Sequence, residues 1–273
     1  MSLIIPEDFP DCIDKPVEEA ITPVAKGIGK TLSDLWFLAM GGLSQLAEKK
    51  RIKYAIELEE FKKSLEKKVN AIPTENRVEP NTQIACQALE DAKYCADNKD
   101  VREMFANLIS STMNSEFCDA VHPSYSIILK QMTSEDAKFF QNFIGKSNLP
   151  ICRFKLQFDN RAFSTLIDYS YFTKKDAKRE EVNSNALIIS SLERLGIISL
   201  HFDSYIKHTE LYQVYEDSDI FNDLKKLYSA DECKVVLVKG YADLTVLGKN
   251  LLNICCPIKR ITVNITVPNP PTL

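Results

Sequence analysis

The chain has 273 residues, of which 45% are hydrophobic and 26% are charged, and its formal net charge at pH 7 is -4. Since domains usually hold about 100 to 200 residues, two compact units are expected. A weakly acidic chain argues against a protein whose whole surface attracts nucleic acid. Glu7 and Asp8 interrupt the N-terminus where a secretory peptide needs an apolar run, which predicts a cytoplasmic protein with reduced thiols.

The eight cysteines are scattered through apolar stretches, and no two of them are separated by only two residues. Structural zinc sites usually contain such pairs, so the sequence predicts no structural zinc. No paired carboxylates with metal-ligand spacing and no nucleophile motif occur either. We therefore expect no metal, no cofactor and no catalytic residue.

Residues 1–16 are predicted to be flexible, and residues 17–72 to form a helical hairpin with a break near Gly41 and Gly42. The most apolar run of the chain, residues 35–40, lies in the first helix. It is too short to span a bilayer, which takes about 20 apolar residues. The run either packs against protein, its own or a partner's, or contacts a membrane surface, and the first interpretation is favoured.

A basic cluster in the second helix of the hairpin is ordinarily a solvated helix face, but it could also meet phosphates or anionic headgroups. The candidate interaction residues of the hairpin combine the apolar run and this cluster: Leu35, Trp36, Phe37, Leu38, Lys49, Lys50 and Arg51.

The central region, residues 81–132, is predicted to be helical. Asn81 is placed to cap a helix over residues 84–95, and Asp100 with Glu103 forms a capping pattern ahead of a strongly apolar helical stripe over residues 101–113. His122 precedes a proline and has no second histidine near it in sequence, so a capping or turn role is favoured over catalysis.

Three phrases of this region, REMFANL at residues 102–108, HPSY at 122–125 and QMTSEDA at 131–137, resemble the Abi-alpha family of bacterial abortive-infection proteins. The resemblance covers most of the chain. The biochemical activity of that family is undefined, so the resemblance implies a role in phage resistance and not a reaction. The candidate family-motif residues in these phrases are Arg102, Phe105, His122, Pro123 and Asp136.

Residues 133–258 show the order helix, strand, helix, helix, strand, wing, strand, helix, which is typical of a winged-helix domain. The second helix of this order is predicted around Phe163, Leu166 and Ile167. The third carries Leu187 on its apolar face and stops at Gly196.

Two phrases here, LERLGII at residues 192–198 and LTVLG at 244–248, look like the end of the recognition helix and the start of the last helix in winged-helix regulators. They add four candidate motif residues: Leu192, Gly196, Thr245 and Gly248. The fold class is therefore mainly α with a small β component: an N-terminal and central helical bundle, then a winged-helix-like α+β unit, then a strand or tail at 259–273.

Charge disfavours nucleic acid as a partner of this unit. Between residues 174 and 195 five basic residues stand against four acidic ones, and between 203 and 239 eight acidic residues outnumber five basic ones. Such a face repels a phosphate backbone. The insert between the two predicted wing strands, about 30 residues, is also longer than a usual hairpin, and residues 219–228 are predicted to form an extra helix there.

Arg194 and His201 have the spacing seen in one class of ribonuclease toxins, but Gly196 breaks the helix between them. Catalysis is therefore disfavoured. The favoured function is a non-enzymatic part of anti-phage defence that acts through an unidentified protein partner, self-association or a membrane surface, in the cytoplasm or peripherally at the inner membrane. The alternatives are a winged-helix nucleic-acid-binding regulator and a toxin nuclease.

We expect no appreciable binding of duplex DNA at physiological salt, because the predicted recognition helix is almost neutral and the insert is acidic. Fluorescence anisotropy of a labelled duplex, titrated with the purified protein over a salt series, measures this. Tight binding with a steep salt dependence would contradict the expectation and favour the regulator.

Overall fold

The computed structural model describes residues 23–40, 48–159, 162–228 and 233–257. The helices are α1 (Pro23–Met40), α2 (Glu48–Asn70), α3 (Thr82–Lys93), α4 (Lys99–Ser111), α5 (Ser124–Lys130), α6 (Ser134–Phe140), α7 (Arg179–Arg194), α8 (Gln213–Glu216), α9 (Asp219–Leu227) and α10 (Val246–Cys255). The strands are β1 (Asn148–Phe158), β2 (Phe163–Ser170), β3 (Ile198–His201) and β4 (Cys233–Leu244). This architecture confirms a mainly α fold with a small β component. The predicted flexible N-terminus, the break at Gly41 and Gly42, and the strand or tail at 259–273 lie outside the described residues.

Helix α4 is the centre of the helical part. It contacts α2, α3, α5, α6 and α10, and Val101, Phe105 and Ile109 on it have no exposed surface. These positions repeat at intervals of four residues, as expected for one buried stripe of a helix. The main core around α4 includes residues of α1 to α7 and of α10, so it crosses the predicted domain boundary at residues 132–133.

Helix starts follow local capping signals. The Asn81 side chain accepts a hydrogen bond from the Ile84 amide, as predicted. The prediction that Asp100 begins α4 is wrong: Asn98 caps the helix by accepting from the Val101 amide. Asparagine is as good an N-cap as aspartate, and the helix cap lies two residues earlier than predicted. Asp100 instead accepts a hydrogen bond from the Ser134 hydroxyl at 2.6 Å.

The sheet is antiparallel, with the order β2-β1-β4-β3. The helix predicted around Phe163, Leu166 and Ile167 is wrong, because these residues lie in β2, which pairs with β1. The three residues fit the spacing of one helical face, but β1 offers a long strand with which they form a hairpin. Pairing with that strand outweighs the local spacing. The second helix of the predicted winged-helix order is therefore a strand.

The long insert before β4 covers one face of the sheet. Tyr212 and Tyr215 from the insert are fully buried, and α9 adds Phe221, which contacts the Phe154 ring with centroids 5.4 Å apart. Tyr212 donates a hydrogen bond to the Gly240 carbonyl at 2.7 Å. The helix predicted at residues 219–228 is confirmed as α9. The insert and this sheet face form a second, separate core.

The ends of α7 and β4 meet at a compact junction. Gly196 has a φ of 72°, and the amide of Ile197 donates to the Leu192 carbonyl at 3.3 Å. This is the Schellman arrangement, in which glycine adopts the left-handed conformation at little cost. Leu187, predicted on the apolar face of α7, is instead 73% exposed. Thr245 donates to the Gly196 carbonyl at 2.7 Å.

Thr245 also begins α10, because its hydroxyl accepts from the Gly248 amide at 3.0 Å. Gly248 packs directly on the backbone of Ile197: a Cβ atom there would lie 1.9 Å from the Ile197 carbonyl oxygen. The Ile197 carbonyl is itself occupied by the Thr245 amide at 3.1 Å. The backbone has no free space at this point, so only glycine fits.

We expect Gly248→Ala to lower the free energy of unfolding by about 1–3 kcal/mol, since the added methyl group forces α10 away from β3. Urea denaturation measures the change. The matched control is Asn250→Ala, on the exposed side of the same helix, which should leave stability nearly unchanged. Equal stability of the two variants would show that α10 adjusts freely.

Candidate functional site

The apolar run of α1 divides into a buried and an exposed part. Leu35 and Ala39 are buried, and Trp36 is half-buried with its ring 5.7 Å from that of Phe61 in α2. Phe37 is 77% exposed and Leu38 is 68% exposed. We call these two residues the α1 tip. Two adjacent large apolar side chains that are this exposed are more typical of an interaction site than of a core.

The α1 tip is held in place by the rest of the helix. Helix α1 packs along α3, and Lys93 of α3 donates a hydrogen bond to the Ala39 carbonyl. A cation at the C-terminal end of a helix satisfies free carbonyl groups and interacts favourably with the helix dipole. Packing through Leu35 and Trp36 together with this contact fixes the direction in which the α1 tip points.

The described charges near the α1 tip are of both signs. Asp34 is exposed on α1, whereas Lys93 of α3 reaches the end of the same helix. On α2 the exposed Glu59 forms a surface ion pair with Lys63 at 3.5 Å. The basic candidates Lys49, Lys50 and Arg51 lie in α2, but their side chains are outside the described residues.

The family-motif residue Arg102 joins α4 to α2. Its Nη1 donates to the carbonyls of Ala96 at 2.9 Å and Glu57 at 3.3 Å, and its Nη2 contacts the Glu60 carboxylate at 2.7 Å. The side chain is 7% exposed. A buried guanidinium needs partners for most of its donors; both Nη groups have them, while Nε has none among the described residues. Arg102 is therefore part of the packing between two helices.

The next two motifs also make local contacts. His122 Nδ1 accepts a hydrogen bond from the Ser124 amide at 3.2 Å, next to Pro123 at the start of α5. Asp136 accepts from the Thr133 amide at 2.9 Å while Thr133 accepts from the Asp136 amide at 3.1 Å. This reciprocal pair is a capping box. Phe105 is fully buried in the main core.

Two shallow pockets of about 180 and 310 Å³ flank Asn107 between α4 and the end of α10. The larger contains Glu103. Burial by itself would raise the pKa of this carboxyl group, but hydrogen bonds from Ser64 at 2.7 Å and from Lys68 at 3.1 Å lower it. Glu103 is thus held as a carboxylate, whereas a general acid at neutral pH needs a raised pKa.

Other reactive groups are either shielded or separately paired. Burial raises the pKa of Cys256 to about 12 and that of Cys255 well above its usual value, which suppresses the reactive thiolate. Arg194 donates to the Gln131 side chain at 3.0 Å, while His201 stacks on Tyr241. Within the described ranges, no group of three or more metal-ligating residues occurs, and no helix has both the length and the apolar character needed to cross a bilayer.

A family model described as abortive infection alpha matches residues 53–255, more than half of the chain. The chain belongs to the abortive infection alpha family. A search of curated proteins and a search of solved structures found no match.

The matched range begins after α1, so the α1 tip lies outside the part that the abortive infection alpha model describes. Seven of the nine family-motif residues are assembled in two places, while His122 and Pro123 stand apart at the start of α5. Arg102, Phe105 and Asp136 are in or beside the main core, and Leu192, Gly196, Thr245 and Gly248 form the junction of α7, β3 and α10. The exposure of Phe37 and Leu38 was not predictable from sequence, since the whole run is equally apolar.

We expect Arg102→Lys to lower the free energy of unfolding by about 1–3 kcal/mol, because an ammonium group does not reach both carbonyls and Glu60 together. Glu60→Gln is the matched variant and should cost less than about 1 kcal/mol, since that carboxylate is largely exposed. Urea denaturation of both variants separates the backbone contacts from the ion pair. A larger effect of Glu60→Gln would contradict the packing role.

Proposed function

We propose that the protein is a non-enzymatic component of abortive-infection defence against phage and that it acts by binding a partner protein through the α1 tip. Family membership supports the defence role. The exposure of Phe37 and Leu38 on a helix that is otherwise packed supports the binding role, and it is the observation that carries the proposal.

The size of the α1 tip fits a modest, reversible contact. Full burial of a large apolar side chain contributes about 1.5–3 kcal/mol, so Phe37 and Leu38 together supply about 3–6 kcal/mol before the costs of association. Further contacts around the rim complete such an interface. An association of this strength can respond to infection, because a change in partner concentration shifts it.

Charge favours a protein over a membrane as the binding partner. The cytoplasmic leaflet of a membrane is anionic and attracts basic segments. Asp34, which is exposed one turn before Leu38 on the same helix, opposes that attraction. A protein partner with an apolar pocket and a basic rim complements both features of this surface.

We expect Leu38→Asp to abolish protection in a plaque and cell-survival assay without lowering the thermal midpoint, since its side chain is exposed. Leu35→Asp should instead unfold the helical part, because it places an unpaired charge in the core. Leu227→Asp is the matched control, an exposed leucine on α9, and should protect like the parent.

Cell fractionation distinguishes the partners. We expect the parent protein to remain in the supernatant after membranes are pelleted, and pull-down with the parent but not with Leu38→Asp to retain one protein. If the parent pellets with membranes and only detergent releases it, the partner is lipid. Full protection by a soluble Leu38→Asp variant would refute a function of the α1 tip.

A further inference from the structure

One part of the sheet faces away from both cores. Leu149 and Ile151 near the start of β1 belong to the main core, and Cys152, Phe154 and Leu156 point to the second core. Since side chains alternate along a strand, the remaining positions towards the end of β1 share the face of Leu149 and Ile151 but extend beyond the main core. None of these positions is buried.

The open face carries cationic and aromatic side chains from β1, β2 and β4 and from the residue that follows β3. We call this set the sheet platform: Arg153, Lys155, Phe163, Tyr169, Phe202 and Lys234. Two of the rings, Tyr169 and Phe202, also pack against the edge of the main core. The register places them side by side, because Lys155 pairs with Thr165 on β2 and Gln157 pairs with both Phe163 on β2 and Lys234 on β4.

The cations of the sheet platform stand against few acids. Arg153 forms an ion pair with Asp168 through its Nε at 2.6 Å. Within the described residues, its Nη groups donate no hydrogen bond. Lys155 lies over the Phe163 ring, 5.8 Å from its centroid. Lys234 is exposed. In a chain with more acidic than basic residues, this face complements a polyanion.

The rings are arranged to stack. Tyr169 and Phe202 are near-parallel, with centroids 6.2 Å apart and an interplanar angle of 27°. The Arg153 guanidinium lies 3.7 Å from the Phe202 centroid and 5.0 Å from that of Tyr169, which holds it in place. Phe163 is 54% exposed at the edge strand. Flat π faces next to fixed cations suit bases joined by phosphates.

We propose that the sheet platform binds single-stranded nucleic acid, with bases on Phe163 and Tyr169 and phosphates at Arg153, Lys155 and Lys234. Positions 153 to 157 of β1 span about 13 Å, enough for two or three stacked bases of the kind that open sheet faces bind. The site goes beyond the proposed partner binding by the α1 tip and does not depend on it. It departs from the sequence expectation, which disfavoured nucleic acid because of the charges of the predicted recognition helix and of the acidic insert.

The ring content favours a single strand over other polyanions. An acidic peptide would use the cations but gain little from Phe163 and Tyr169. In a duplex the base faces are already stacked on one another, so the rings find no free partner. The occupant therefore has both exposed bases and a phosphate backbone.

The test is fluorescence anisotropy with the purified full chain and labelled oligouridylate or oligothymidylate of about 12 nucleotides. We expect both single strands to bind, with a logarithmic salt slope of about -2 for three phosphate contacts between about 50 and 200 mM salt. A duplex of the same length and a labelled oligoglutamate peptide should bind much more weakly.

Variants assign the binding to the sheet platform. Phe163→Ala should weaken binding about fivefold or more, and Phe163→Trp should retain it because a ring remains. Lys155→Glu should weaken binding and reduce the salt slope by about 0.7. The matched controls are Leu227→Ala and Lys67→Glu, exposed positions on α9 and α2, which should bind like the parent.

Three results would overturn the proposal. These are no binding of either single strand at low salt, binding that is the same for Phe163→Ala and Leu227→Ala, or equal binding of the oligoglutamate peptide. If Phe163→Ala shows a lowered thermal midpoint, Lys234→Glu provides an independent test on another strand. The last of the three results would identify an acidic protein as the ligand of this face.

Discussion

The rest of the fold depends on the burial of α4 on almost every side. Ala106 and Ser111 of α4 have small side chains, so neighbouring helices can pack closely around it. One charged residue, Arg102, is carried into this environment and must satisfy its donors there. Its two Nη groups do so with carbonyl groups just before α4 and on α2 and with Glu60, whereas its Nε has no hydrogen-bond partner among the described residues. The direction of α2 relative to α4 is thus set by hydrogen bonds as well as by apolar contact.

The features that the sequence predicted correctly are those decided within a few residues. Asn81, Gly196 and Thr245 act on amides or carbonyls at most five positions away, so their signals are visible in the sequence. The β2 strand is different, because its partner β1 is what selects strand over helix for an ambiguous segment. The cap of α4 was misassigned for a smaller reason: two good capping residues, Asn98 and Asp100, stand close together.

The candidate surfaces were harder to predict than the fold. Whether Phe37 or Leu35 is exposed depends on which side of α1 meets α3, a contact between segments far apart in sequence. The sheet platform could not be predicted while β2 was expected to be a helix. Only strand pairing places Phe163 beside Gln157 and Lys155. Local composition marks apolar and charged segments, while tertiary pairing decides which of their side chains reach a common surface.

The long insert before β4 packs on β1 through alternate positions only. Cys152 and Phe154 face Tyr215 and Phe221 of the insert, whereas Arg153 and Lys155 between them do not. In related proteins, the even positions of β1 must therefore change together with the insert. A relative with a short hairpin in its place would need polar residues at those positions to keep the sheet soluble. Positions 153, 155 and 157 are free of that linkage, so their side chains can diverge with the ligand while the fold stays the same.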